Sequence, residues 1–133
     1  MSLLTDIRPV FSELFFLPVH TRMPLKFGGE TVTYVTCARC KVKVQGRDMR
    51  EAEGWGETPL SVTWVWPSSL GYEERHESLK EFCVKLAEAW ACFDSYGHPL
   101  EVGNEFNTKQ LPNLLQEHNM DREEPMPWLA ASV

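Results

Sequence analysis

The period of the hydrophobic pattern changes once along the chain, near Pro67, and this change limits the possible folds more than any other feature. Before Pro67, apolar and β-branched residues alternate with polar ones, and after it apolar residues recur every three or four positions. A period of two is typical of a strand with one buried face, whereas a period of 3.6 is typical of an amphipathic helix. Strands followed by helices predict a segregated α+β fold.

The first half of the chain is expected to form an antiparallel meander of three strands, over about residues 7–57. The predicted strands are 7–17, which Pro18 is expected to end, then 30–45 and 50–57, with turn residues at 46–48. In the second strand one face is predicted to be buried, with Val32, Tyr34, Thr36, Ala38, Cys40, Val42 and Val44. The other face carries Arg39, Lys41 and Lys43.

The second half, about residues 71–133, is expected to form three to four helices. The longest begins near Gly71 or Tyr72, ends by Gly97 and Pro99, and has an apolar stripe of Leu79, Phe82, Cys83, Leu86, Trp90 and Phe93. Shorter helices are predicted at 100–106, at about 108–118 and from 127 onward, and Pro112 is expected in a first turn or at a helix start. A chain of 133 residues with 43% hydrophobic residues predicts one domain over residues 1–133.

The charge and hydrophobic content of the chain indicate which partners and which cellular compartment to expect. The formal net charge of −6 disfavours binding to nucleic acid and to anionic membrane surfaces. No apolar run approaches the roughly 20 residues of a membrane span, and the acidic residues near the start do not fit an export signal. We therefore expect a soluble, cytoplasmic protein.

The cysteines and histidines do not suggest a metal site. Cys37 and Cys40 have C-x-x-C spacing, but residues three apart in a strand point to opposite faces, so one ion cannot bind both. The four cysteines are expected to be reduced thiols. His76, His98 and His118 are predicted to be surface residues without shared metal spacing. We expect neither a metal ligand nor a catalytic residue in this chain.

Three segments, read together with the order of strands and helices, resemble the N-terminal capping domain of the enolase superfamily, in its mandelate racemase and muconate-lactonizing group. They are RMPLKFG at 22–28, GWGETPLSVTWVWPSSL at 54–70 and MPWLAASV at 126–133. The resemblance spans roughly residues 7–133.

This resemblance implies that the chain is a fragment of a larger enzyme. In the family the cap precedes a (β/α) barrel that carries the chemistry, and we expect that barrel downstream of Val133. The parent would be a Mg²⁺-dependent isomerase, lyase or dehydratase that removes a proton beside a carboxylate. Its Lys-x-Lys base motif would lie in the barrel, so Lys41-Val42-Lys43, in the second strand of the cap, is not assigned that role.

The resemblance also implies a lid built from two loops, 18–29 and 58–70, which close over the barrel and select substrates. In the first loop His20, Arg22 and Met23 are the candidate substrate-binding residues, since arginine binds carboxylates through two hydrogen bonds. In the second, Trp64 and Trp66 are expected to share one side of an extended segment with Val62. They would pack on the barrel or a neighbouring subunit, line the substrate site, or belong to the core.

The sequence leaves two other functions open. One is a free-standing protein-interaction or dimerisation module that uses the aromatic second loop. The other is a small thiol-dependent enzyme that uses Cys37 or Cys40. The isolated chain is expected to self-associate as a homo-oligomer, because apolar residues that would face the barrel lack their cover.

Overall fold

The computed structural model describes residues 3–27 and 30–132 of the chain. Three strands form one antiparallel sheet in the order β1-β2-β3: β1 is Ile7–Phe27, β2 is Glu30–Gly46 and β3 is Glu51–Pro59. Helices follow the sheet in the chain. The predicted α+β fold, with a three-stranded antiparallel meander ahead of the helices, is confirmed.

The first strand is much longer than predicted, and the prediction that Pro18 ends it is wrong. Pro18 pairs with Thr36, and pairing continues to Phe27 opposite Glu30, with an irregularity between His20 and Leu25. The strand accommodates proline because β1 is an edge strand, where a missing N–H need not cost a ladder hydrogen bond. The predicted first loop, 18–29, is therefore strand up to Phe27, and its last two residues lie outside the described part of the chain.

The β1–β2 hairpin extends beyond the rest of the sheet. Pro59, the last residue of β3, lies opposite Cys37, so residues 18–27 and 30–36 have no third strand beside them. We call these two stretches the distal hairpin. The predicted buried face of β2 is therefore not buried throughout: Thr36 and Ala38 are buried, but Tyr34, on the distal hairpin, is 45% exposed.

The chain after the sheet is helical, as its hydrophobic period predicted. The helices are α1 (Val62–Val65), α2 (Tyr72–Ala91), α3 (Pro99–Glu105), α4 (Leu111–Asn119) and α5 (Trp128–Ala131), with a π-helical turn, Phe106–Gln110, between α3 and α4. Pro112 lies in the first turn of α4, as predicted, where its missing N–H costs nothing. No helix in residues 3–27 and 30–132 is long and apolar enough to cross a membrane.

Helix α2 covers one face of the sheet over β1 and β2 and organises the core. Its buried residues Leu79, Phe82 and Cys83 pack with Ala38 of β2, and Leu14 and Phe16 of β1 pack against the same cluster. The Ser12 hydroxyl donates a hydrogen bond to the Ala87 carbonyl and joins β1 to the helix. A second, smaller cluster contains Phe93, Val102 and Phe106, and Leu86 and Leu114 pack against both clusters.

Candidate functional site

The two segments that were predicted to form a lid lie at the same end of the sheet. The Leu60 amide, just after β3, donates a hydrogen bond of 2.8 Å to the Thr36 carbonyl, at the point where the distal hairpin begins. Helix α1 starts two residues later, at Val62. The meander alone explains this arrangement, because β1 ends, β2 begins and β3 ends at the same end of the sheet.

The candidate residues of the first segment are exposed on the distal hairpin. His20 lies opposite Tyr34 in the ladder, and the two rings are 5.1 Å apart at an angle of 53°. Arg22 and Met23 fall in the irregular stretch that follows, where no described partner pairs with them in the ladder, and Met23 is 68% exposed. The hairpin thus presents an imidazole, a guanidinium and a thioether to solvent.

The two tryptophans of the second segment lie in different environments, and the prediction that they share one side is wrong. Residues 62–65 form a helical turn, so Val62 and Trp66, four apart, are both buried, while Trp64 is 71% exposed. Trp66 is 2% exposed and belongs to the main core. Its carbonyl accepts a hydrogen bond of 2.5 Å from Arg75 Nη1 of α2, which fixes the end of the turn. Of the pair, only Trp64 is accessible.

A polar cleft of about 570 Å³ lies on the helical side of the molecule. Trp66 and Leu70 form its apolar wall, and α2 and α4 contribute Lys85 and His118. Acidic residues and one arginine complete the lining: Glu74, Glu117, Asp121, Arg122, Glu123 and Glu124. No sequence motif predicts this cleft, because its residues come from separate segments of the chain.

His118, which lines this cleft, is a buried histidine with polar neighbours. Its Nε2 lies 2.9 Å from Ser78 Oγ, its Nδ1 lies 3.3 Å from Lys85 Nζ, and it is 5% exposed. Burial, with the positive charges of Arg122 and Lys85, lowers the pKa of His118 from 6.5 to about 4. The imidazole is therefore neutral at pH 7.

The neighbours of His118 also decide what this group can do. The Lys85 ammonium can only donate, so Nδ1 accepts and the ring proton is assigned to Nε2, which then donates to Ser78. A general base would instead have to accept the serine proton. The Ser78–His118 pair thus has the wrong polarity for a nucleophile and base, and we assign it a structural role.

The prediction that all three histidines are surface residues is wrong for two of them. His76 and His118 are buried, while His98 is half-exposed and accepts a hydrogen bond from the Leu100 amide at the start of α3. A signal for the burial of His118 was present, since it continues the stripe Leu111, Leu114, Leu115 at helical spacing.

All four cysteines are free thiols, of which Cys37 and Cys83 are buried, Cys40 is half-buried and Cys92 is exposed. Cys37 interacts with Glu57 and Arg39, and burial is the main cause that raises its pKa. Cys40 is close enough to Cys83 of α2 to raise the pKa of that buried thiol, which reaches about 12, mainly through burial. The prediction that Cys37 and Cys40 face opposite sides is confirmed. In the part of the chain that the structure describes, no three His, Cys, Asp or Glu side chains are grouped to hold a metal ion.

Comparisons with known proteins do not identify a family. No family model, no curated protein and no solved structure matches the chain. The resemblance to the enolase superfamily therefore rests on the three sequence segments and the order of elements, and it stays a prediction.

Proposed function

We propose that this chain is the lid domain of a mandelate racemase or muconate-lactonizing-like enzyme, and that it closes a separate catalytic barrel. The observation that supports the proposal is the position of the distal hairpin and α1 at one end of the sheet, joined by the hydrogen bond from Leu60 to Thr36. A lid needs two segments that reach one site together, on a support that does not move between them.

Within this proposal each exposed residue has a chemical task. Arg22 binds the carboxylate of a small substrate, and His20 offers a second polar contact on the same hairpin. Met23 and Trp64 exclude water by covering the apolar part of the substrate. Of the alternatives left open for Trp66, the core is the one that applies: Trp66 anchors α1 there and so holds Trp64 in place.

The metal of such an enzyme would not be held by this chain. A Mg²⁺ ion prefers an octahedral set of oxygen ligands, usually including one or two carboxylates. In the family that the chain resembles, the barrel holds the ion, so the proposal gives this chain substrate selection only.

The test begins with the coding sequence beyond Val133. The proposal expects an open reading frame that encodes a (β/α) barrel, and a stop codon directly after Val133 would contradict it.

A second test uses the cap joined to its barrel. In that protein, Arg22→Gln should raise KM for a carboxylate substrate about tenfold, because the variant loses roughly one charged hydrogen bond to the substrate. The matched control is Arg8→Gln, because Arg8 lies on the same strand at the other end of the sheet, bonded to Gln45. Its KM should not change.

A second function is favoured by exposed aromatic residues. Trp55, Trp64 and Trp128 are all more than half exposed, and tryptophan is enriched at the centres of protein interfaces. This observation favours a free-standing interaction or dimerisation module. A stop codon after Val133, together with a stable complex of the purified chain, would support this function over the lid.

A further inference from the structure

The two edges of the sheet are built differently. The β1 edge carries Pro9, Pro18 and Pro24, and its first residue, Ile7, exchanges backbone hydrogen bonds with Gly97. Prolines of this kind protect an edge from pairing with other chains. The β3 edge has no proline before its last residue, Pro59, and no described strand or helix pairs with it.

The register shows which backbone groups of β3 are free. The Leu60 amide bonds the Thr36 carbonyl and the Gly46 amide bonds the Arg50 carbonyl, so the even-numbered residues of β3 bond to β2. Bonding direction alternates along an antiparallel strand, so the odd-numbered residues direct their N–H and C=O groups away from β2. These are Glu51, Glu53, Trp55 and Glu57.

Beside this edge the inner face of β3 has open space at two glycines. Gly54 and Gly56 lie on the face that α2 covers elsewhere, but a methyl group added at either glycine would meet no described atom within 4 Å. Glycine in a strand often marks a place where another backbone or a large side chain comes close. There is thus room beside β3 for bulky side chains of a further strand.

The outer face of β3 carries three glutamates and no cation. Glu51, Glu53 and Glu57 face Lys43, Lys41 and Arg39 of β2, and Glu13 of β1 also faces Lys41. Lys41 is shared, because its Nζ lies 3.0 Å from Glu13 and 3.9 Å from Glu53. An added cation would complete this network.

We propose that the β3 edge is a docking site for an extended protein segment in which Lys or Arg alternates with large apolar residues. Backbone groups of Trp55 and Glu57 would hydrogen-bond to the segment, as in other cases of strand addition. Its cations would lie beside Glu53 and Glu57, and its apolar residues would fill the space over Gly54 and Gly56, as aromatic neighbours do for edge glycines. The proposal is independent of the lid function.

A second copy of β3 fits this edge poorly. If two β3 strands pair antiparallel about Trp55, Glu53 lies opposite Glu57 of the other copy, and if they pair about Gly54, Glu51 lies opposite Glu57. Like charges directly opposite each other destabilise a strand pair. A cationic segment avoids this repulsion.

The test uses a nine-residue peptide of lysine alternating with valine and phenylalanine, and a counterpart with glutamate in place of lysine. The lysine peptide should bind at least about tenfold more tightly than the glutamate peptide, since several cross-strand charge pairs each add to its binding free energy. Added salt should weaken the binding of the lysine peptide. Amide hydrogen exchange should slow at Trp55 and Glu57, whose N–H groups are free, and much less at Gly54 and Gly56, which already bond to β2.

A pair of variants separates the backbone of β3 from its side chains. Trp55→Pro removes an outward N–H that β2 does not use, while Trp55→Ala keeps it, so only the proline variant should lose most of the protection at Glu57. Equal binding of the two peptides, equal protection in the two variants, or protection confined to other strands would overturn the proposal. Protection that rises with protein concentration in the absence of peptide would also overturn it and identify a second copy as the occupant.

Discussion

The two ends of the β1–β2 hairpin share strands but differ in their surroundings. Near Ala38 the sheet lies under α2, and Ala38 is 6% exposed, whereas on the distal hairpin Met23 is 68% exposed. Burial of apolar surface stabilises the fold only in the covered part. The difference indicates that the covered part maintains the structure. Residues of the distal hairpin, and Trp64, can be substituted or can contact other molecules with little change in the stability of the fold.

The largest expected effect separates the two tryptophans of the α1 segment. Trp66→Ala should lower the free energy of unfolding by about 3–5 kcal/mol, because it removes a large side chain from the core. Trp64→Ala should change it by less than about 0.5 kcal/mol, because that side chain is exposed. Urea denaturation of both variants and the wild type measures the difference. Similar losses in the two variants would show that the segment is not divided into an anchor and an exposed residue.

The next largest effect concerns the dependence of stability on pH, and it distinguishes a buried histidine from an exposed one. His118 binds a proton near pH 6.5 when unfolded but only near pH 4 when folded, so the unfolded state takes up the proton first as the pH falls. Its contribution is complete above about pH 6.5 and is lost progressively as the pH falls to about 4. His118→Gln should therefore flatten the dependence of stability on pH across this range.

The control for this prediction is His20→Gln, on the distal hairpin. His20 is exposed, so its replacement removes an imidazole without disturbing the core, and the free energy of unfolding at pH 7 should change by less than about 0.5 kcal/mol. Thermal unfolding at several pH values measures both variants. If His118→Gln keeps the slope of the wild type, the imidazole is not held neutral by its surroundings.

The smallest effect is that of a larger side chain on stability, which should have opposite signs on the covered and uncovered parts of the sheet. Ala38→Leu should destabilise the protein by about 1–3 kcal/mol, because it overfills the space beneath α2. Gly54→Val should stabilise it by about 0.5–1 kcal/mol, because the new side chain meets open space and valine suits a strand. Chemical denaturation measures both. A loss of stability in Gly54→Val would show that the inner face of β3 is not open.

Much of the fold could be predicted from the hydrophobic periods. Alternation predicted the second strand to within a residue of β2, and the stripe from Leu79 to Phe93 predicted α2. Local rules failed where tertiary position decides. Pro18 predicts the end of a strand, yet β1 accommodates it because β1 lies at an edge of the sheet. The edge position depends on the order of the strands and not on the residues next to Pro18.

The site was less predictable than the fold. The alternation of Trp64 and Trp66 has the period of a strand, but a single helical turn gives the two side chains different environments, and four residues are too few for a reliable period. The cleft at His118 joins α2, α4 and the segments beside them, so only the packed structure reveals it. His20, Arg22 and Met23 were predicted on a loop and lie on a strand, and their contact with a substrate stays a prediction.

The central claim is that the distal hairpin and α1 occupy the same end of the sheet, and a spin label on the hairpin tests it most directly. The label is placed at His20→Cys in a Cys92→Ser background, which removes the exposed native thiol. The amide resonances of α1, near Trp64, should broaden strongly. Those of Met49, roughly 40 Å away at about 3.3 Å per strand residue, should not. Broadening at Met49 with sharp resonances in α1 would contradict the arrangement and, with it, the lid.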